Sequence, residues 1–215
     1  MTTFTEGRAP GEAIVSEASG FRSRDTAIVT GALKANAVLG QQVLGIASSA
    51  AKAGGNAANT GALTLDVTTP VLSNAMAGVY RVRCIAAASN SGTFRVENPD
   101  GVVIGDVAVA ATFADGVKFV IADGAQDFIV GEGFDITVAD GSGKFVELDP
   151  DATDGSQIAA AILWADTPGA GDHVVTIVTR DAELNAGHLV WPTGITSDEK
   201  LAALAQMKLK GLIAR

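Results

Sequence analysis

The chain has 215 residues, 24 acidic against 15 basic side chains, a net charge of −9, and 47% hydrophobic residues against 18% charged. It is too apolar for a disordered chain, and about 70% of its extended surface is buriable at this length, while the acid excess argues against wrapping nucleic acid, which needs cations to displace counterions. No run approaches about 18 apolar residues, the start lacks a basic segment followed by an apolar one, and the single Cys84 has no internal disulfide partner; neither a membrane span nor a secretory leader is expected, and synthesis is expected in a reducing compartment.

In chain order, residues 1–24 read as an arm. Thr5-Glu6-Gly7-Arg8-Ala9-Pro10-Gly11 has no periodicity and Ser16-Glu17-Ala18-Ser19-Gly20 is small and polar, so the arm orders only by lying along something else. Short strands are expected over 27–30, 37–40 and 42–47, followed by a linker or exposed crossing over 48–61, centred on Gly54-Gly55-Asn56. Period-two alternation then marks Leu63-Thr64-Leu65-Asp66-Val67, residues 79–84, residues 93–97 and Phe134-Asp135-Ile136-Thr137-Val138 as strands with one face in a core. Asp-Gly turns at 115–116, 123–124 and 140–141 join such strands as hairpins. Phe94, Phe113, Phe119, Phe128 and Phe134 supply the large apolar surface of this region, at about 2–3 kcal/mol each when buried.

Beyond Gly143 the pattern changes. Residues 144–148 read as a strand, 149–155 as an acidic loop, the apolar run 158–163 as a further strand, and the β-branched Val174-Val175-Thr176-Ile177-Val178-Thr179 as another. Thr196-Ser197-Asp198-Glu199 fits a capping box opening a helix of about ten residues, with Leu201, Leu204 and Ala205 on one face, and Gly211 and Ile213 suggest a last strand. The expected fold is mainly β with one short C-terminal helix. Neither 20–50 nor 142–215 closes a core alone, so 25–57 and 141–215 are expected to form one discontinuous domain, with 58–140 an inserted, projecting antiparallel β-domain.

Little in the sequence suggests reaction chemistry. His173 and His188 lack a ligand spacing, no Ser–His–Asp or Cys–His constellation stands out, and no glycine-rich nucleotide fingerprint is present. Asp149, Asp151 and Asp154 share one loop, read as solvated carboxylates with a calcium loop as the sharper alternative. No catalytic residue, metal or cofactor is therefore expected. Cys84, among Val82, Ile85 and Ala86, reads as a small buried hydrophobe. Trp164 and Trp191 either anchor a core or cover a contact between subunits, where tryptophan is enriched.

Gly155-Ser156-Gln157-Ile158-Ala159-Ala160-Ala161-Ile162-Leu163 and the stretch from Gly187 through Trp191-Pro192 to Lys200 resemble the head decoration, capsid-stabilising proteins of tailed phages, the lambda type. The resemblance extends over 144–215 and touches 15–25 and 37–40. It implies a β-clip-like core, a homotrimer at three-fold positions on the outside of an expanded capsid, and the major capsid protein as partner, in a protein made in the host cytoplasm. It also implies an arm that orders on the shell, assigning capsid binding to Thr5, Glu6, Ala9, Pro10, Ile14, Val15 and Phe21 and the trimer or core anchor to Trp164, Trp191 and Pro192. Neither nucleic acid nor a membrane is an expected partner. The shorter lambda-type protein has no counterpart of 58–140, and the alternative function is a glycan- or host-surface-binding module acting through that segment.

Overall fold

The computed structural model describes residues 7–57 and 60–215 and is mostly β, with one α-helix among the described residues, near the C-terminus. The chain divides into two compact units, Met1–Gln42 with Gly143–Arg215, and Val43–Ser142. The first unit opens with β1 (Ile14–Glu17), β2 (Arg24–Thr30) and β3 (Val38–Gln41). The second comprises β4 (Leu44–Ala51), β5 (Ala62–Leu65), β6 (Gly78–Ala88), β7 (Ser91–Glu97), β8 (Val103–Ala108), β9 (Thr112–Asp115), β10 (Val117–Ala122) and β11 (Gly133–Asp140). The chain then returns to the first unit as β12 (Phe145–Glu147), β13 (Ala159–Leu163), β14 (Asp172–Val178), β15 (Ala182–Leu184), α1 (Ser197–Leu209) and β16 (Leu212–Ala214).

The first unit is built on a closed five-stranded barrel, in the order β12-β2-β14-β13-β3. Its interior holds Val29, Leu39, Phe145, Ala161, Leu163 and Ile177. Val38, Ala159, Ile162 and Val178 belong instead to a second core, shared with Ala203 and Met207 of α1 and with Leu184 and Leu212 of a three-stranded sheet ordered β1-β15-β16. Because β13 is covered on both faces, all five of its residues are buried, which explains a continuous apolar run where a half-exposed strand would alternate. Close approach of the loop before β13 also dictates Gly40 on β3, where a Cβ would stand 2.0 Å from the Ser156 carbonyl oxygen.

The second unit contains two sheets, β4-β11-β6-β7-β8 and β5-β10-β9. Their core gathers Tyr80, Val82, Phe94, Phe113, Phe119, Phe128, Phe134 and Ile136. Phe94 and Phe128 meet edge to face at 4.8 Å, and Phe113 and Phe119 lie 5.2 Å apart, both within the spacing that favours aromatic pairs. All five phenylalanines expected to carry this region are buried, as is Cys84.

Three local features differ from the sequence-based expectation. The first four residues of the expected linker over 48–61 are strand: β4 pairs with β11 from Ala47 opposite Val138 to Ala51 opposite Phe134. Its alanines and serines contribute backbone ladder bonds rather than apolar surface, so hydropathy does not mark it. The two units accordingly divide at Gln42/Val43 rather than near residue 58. The stretch from Gly11 onward, expected as part of an unattached arm, belongs to the first unit: Ala13 is fully buried and β1 pairs antiparallel with β15. A four-residue strand with one small buried anchor is too short to show a period.

Candidate functional site

The N-terminal stretch is fastened to the first unit by a succession of short contacts. The Arg8 guanidinium donates to the His188 carbonyl at 2.7 Å, and Glu12 accepts from the Ala9 amide at 3.2 Å. Pro10 and Gly11 turn the chain inward, where the Gly11 amide donates to the Trp164 carbonyl at 2.8 Å. Gly11 has φ of 68°, and a Cβ there would lie 2.6 Å from the Trp164 ring, so the backbone rests directly on the indole. Arg24 also meets this ring, its guanidinium carbon 3.6 Å from the Trp164 ring centroid while its nitrogens donate to Glu17.

Asn36 adds a second fastening. It is buried at φ of 67°, a left-handed conformation that asparagine tolerates better than most residues. Its side-chain oxygen accepts from the Ala13 amide at 3.2 Å, its own amide donates to the Leu163 carbonyl at 2.8 Å, and its carbonyl accepts from the Val190 amide at 2.9 Å. One residue thus ties the entering chain to β13 and to the segment before Trp191. Its Nδ2 has no hydrogen-bond partner among the described residues, so its side-chain oxygen and its backbone make all of these ties.

β1 follows these contacts as an edge strand of the sheet β1-β15-β16, with Val15 67% exposed and Ile14 turned partly into the core. An edge strand presents backbone donors and acceptors to any extended partner. Ala9 and Pro10 are exposed beside it, Phe21 closes a 3₁₀ turn over Ser19–Phe21, and Thr5 and Glu6 lie outside the described residues. The structure therefore gathers Ala9, Pro10, Ile14, Val15 and Trp164 around one edge.

Trp191 and Pro192 stand elsewhere in the same unit. Trp191 is half-buried against the core beneath α1, and Pro192 borders a polar groove of about 870 Å³ lined also by Gln42, Asp149, Asp151, Asp154, Thr193 and Glu199. Three of the groove's acids, Asp149, Asp154 and Glu199, accept hydrogen bonds. Asp149 accepts from the Asp151 amide at 3.1 Å. Burial opposes charge on Asp154, but hydrogen bonds from Ser156 and Gln42 outweigh it and hold the carboxyl below the usual carboxylate range. Glu199 is held low by the Thr196 amide and hydroxyl. Among the described residues no group of three or more histidines, cysteines or acids is placed to hold a metal ion.

Sequence reasoning missed Gly11, Arg24 and Asn36. The Pro10-Gly11 pair was a readable turn signal; nothing local announces that Trp164 and Ala13, distant in sequence, are what Gly11 and Asn36 serve.

No curated protein and no solved structure matches the chain. The family model described as bacteriophage lambda head decoration protein D matches residues 3–212, nearly the whole chain and both units. The chain, a two-unit β-protein, is thus a member of the lambda head decoration protein D family, whose role is structural and capsid-associated.

Proposed function

We propose that the chain acts as a homotrimer on the outer surface of an expanded tailed-phage capsid, at three-fold positions, and stabilises the shell against the pressure of packaged DNA. The first unit is the β-clip-like decoration core and the second is an inserted, projecting domain. The observation that carries this reading is β1, an exposed strand edge beside Ala9 and Pro10 and fixed in place by Gly11, Trp164 and Asn36. Residues 1–10 lead into that edge and form the arm that adds backbone hydrogen bonds to an unpaired strand of the major capsid protein. Ile14, with its side chain partly in the core, positions the edge, whereas Val15 offers it an apolar contact.

Trp164 then anchors the arm to its own subunit, and Trp191 with Pro192 supplies the contact between copies. Three arms on one body raise the effective concentration of each later attachment, so modest single contacts add to firm binding. A net charge of −9 discourages nonspecific association with DNA while the protein is still free. Binding of a surface glycan through 58–140 is the less supported alternative, since Tyr80 and all five phenylalanines there are buried and no aromatic face is left for stacking on a sugar.

Deleting residues 1–8 tests the arm without removing Gly11. The variant is expected to keep the oligomeric mass and melting temperature of the parent and to lose occupancy on expanded capsids by at least about tenfold. Undiminished occupancy overturns the arm mechanism.

A further inference from the structure

Among the described residues, one face of helix α1 has no partner. Ala203 and Met207 are buried beneath the helix, whereas Asp198, Leu201, Ala202, Ala205, Lys208 and Leu209 are exposed, Leu201 at 65% and Leu209 at 89%. At about 100° per residue, these six positions fall within about 60° of the direction of Ala205 and form one outward stripe. A surface helix ordinarily turns charged residues outward. Here the stripe is leucine and alanine, with one acid near its start and one base near its end. No salt bridge within the described residues engages either Asp198 or Lys208.

We propose that this face binds the same face of a second copy of the chain, the two helices running antiparallel about a two-fold axis level with residue 203. That level sets Asp198 across from the partner's Lys208 and Leu201 across from the partner's Ala205, each twice by symmetry. The large side chain of one helix seats over the small one of the other, and both ends of the stripe carry opposite charges. A parallel arrangement instead sets Asp198 against the partner's Asp198 and loses both charge pairs, so the charges select the orientation. Such a contact is self-complementary and closes on itself. It is therefore distinct from a three-fold contact and joins copies belonging to different trimers.

A single pair of 13-residue helices covers less than the roughly 1,200–2,000 Å² of a stable free complex, so the contact is weak in dilute solution and strengthens where copies share a surface. A covalent trap reads it independently of any trimer. Full-length L201C and A205C are purified separately, mixed, mildly oxidised, and resolved on a denaturing, non-reducing gel; each chain carries one accessible thiol, because Cys84 is buried. The mixture is expected to give a covalent dimer well above either variant alone. Adding D198K to both partners, or K208D to both, is expected to lower its yield about two- to fivefold, and both reversals together are expected to restore it. Circular dichroism confirms that each variant is folded. Absence of the dimer, equal yields from the separate variants, or failure of the double reversal to rescue each overturns the proposal, and a trimer mass measured on the parent stands whichever way the trap turns out.

Discussion

Gly11 is the residue on which the entry of the N-terminal chain turns. Its positive φ and its contact with the Trp164 ring each exclude a side chain, so G11A is expected to cost about 1–3 kcal/mol and to loosen β1. A lower melting temperature with faster amide exchange over 11–17 is the expected result; an unchanged exchange pattern would show that the ring yields at no cost. Asn36 plays a complementary part, holding Ala13 with its side-chain oxygen while its backbone bridges Leu163 and Val190. Neither residue carries a composition signal. Their importance comes from partners brought close only by folding. Trp164, by contrast, stood out as a rare aromatic, and its contacts with Gly11 and Arg24 make it an anchor for the entering chain.

At the scale of elements, α1 was the most legible. Thr196 accepts from the Glu199 amide while the Glu199 carboxylate accepts from the Thr196 amide, the full capping box read from Thr196-Ser197-Asp198-Glu199, and the helix runs 13 residues rather than about ten. T196A removes one half of that exchange and is expected to cost about 0.5–2 kcal/mol, measured by denaturant unfolding. T196S should recover most of the loss. Strands β6, β7 and β11 were equally readable because each buries one face, as the alternation at Tyr80, Val82 and Cys84 shows. The second half of β4 and β1 were not: β4 was expected only as far as Ala47 and continues to Ala51 through small residues paired with β11, and β1 depends on one alanine and its pairing with β15.

At the scale of the whole molecule, the carboxylates set the response to acid. Bonds from Arg180 hold Asp25 low, those from Arg95 hold Asp106 low, those from Lys34 hold Asp166 low, and those from Lys144 hold Asp172 low; at Asp66 the Thr69 amide leads, ahead of Lys118. Each folded-state pKa lies below its unfolded value, so the stabilisation is present above about pH 4 and is lost as pH falls through the depressed values. The melting temperature is expected to be level from about pH 7 to 5 and to fall below about pH 4. A level profile down to about pH 2 would show that these pairs do not stabilise the fold.

The two crossings between units suggest a further test at this scale. The Gly143 amide donates to the Gln42 carbonyl at 2.9 Å and the Gln42 amide to the Lys144 carbonyl at 3.0 Å, so the ends left by removing 43–142 already meet. Joining them through a short glycine linker is expected to leave a first unit that unfolds cooperatively and assembles with the same number of copies as the parent. A molten product would show that the first unit needs the second to fold.

What the amino-acid order determined by itself was local: strands where one face is apolar, turns where glycine follows aspartate, and a helix where a threonine and a glutamate cap each other. These are effects of neighbours in sequence, legible because side-chain period and backbone preference act over a few residues. Tertiary structure alone decided that 159–163 is covered on both faces, that β4 continues through 48–51 in a sheet, and that residues 11–17 pack on the first unit. Those outcomes depend on Ser156 meeting Gly40, Trp164 meeting Gly11 and Asn36 meeting Ala13, contacts between residues far apart in the chain, whose free energy no local pattern encodes.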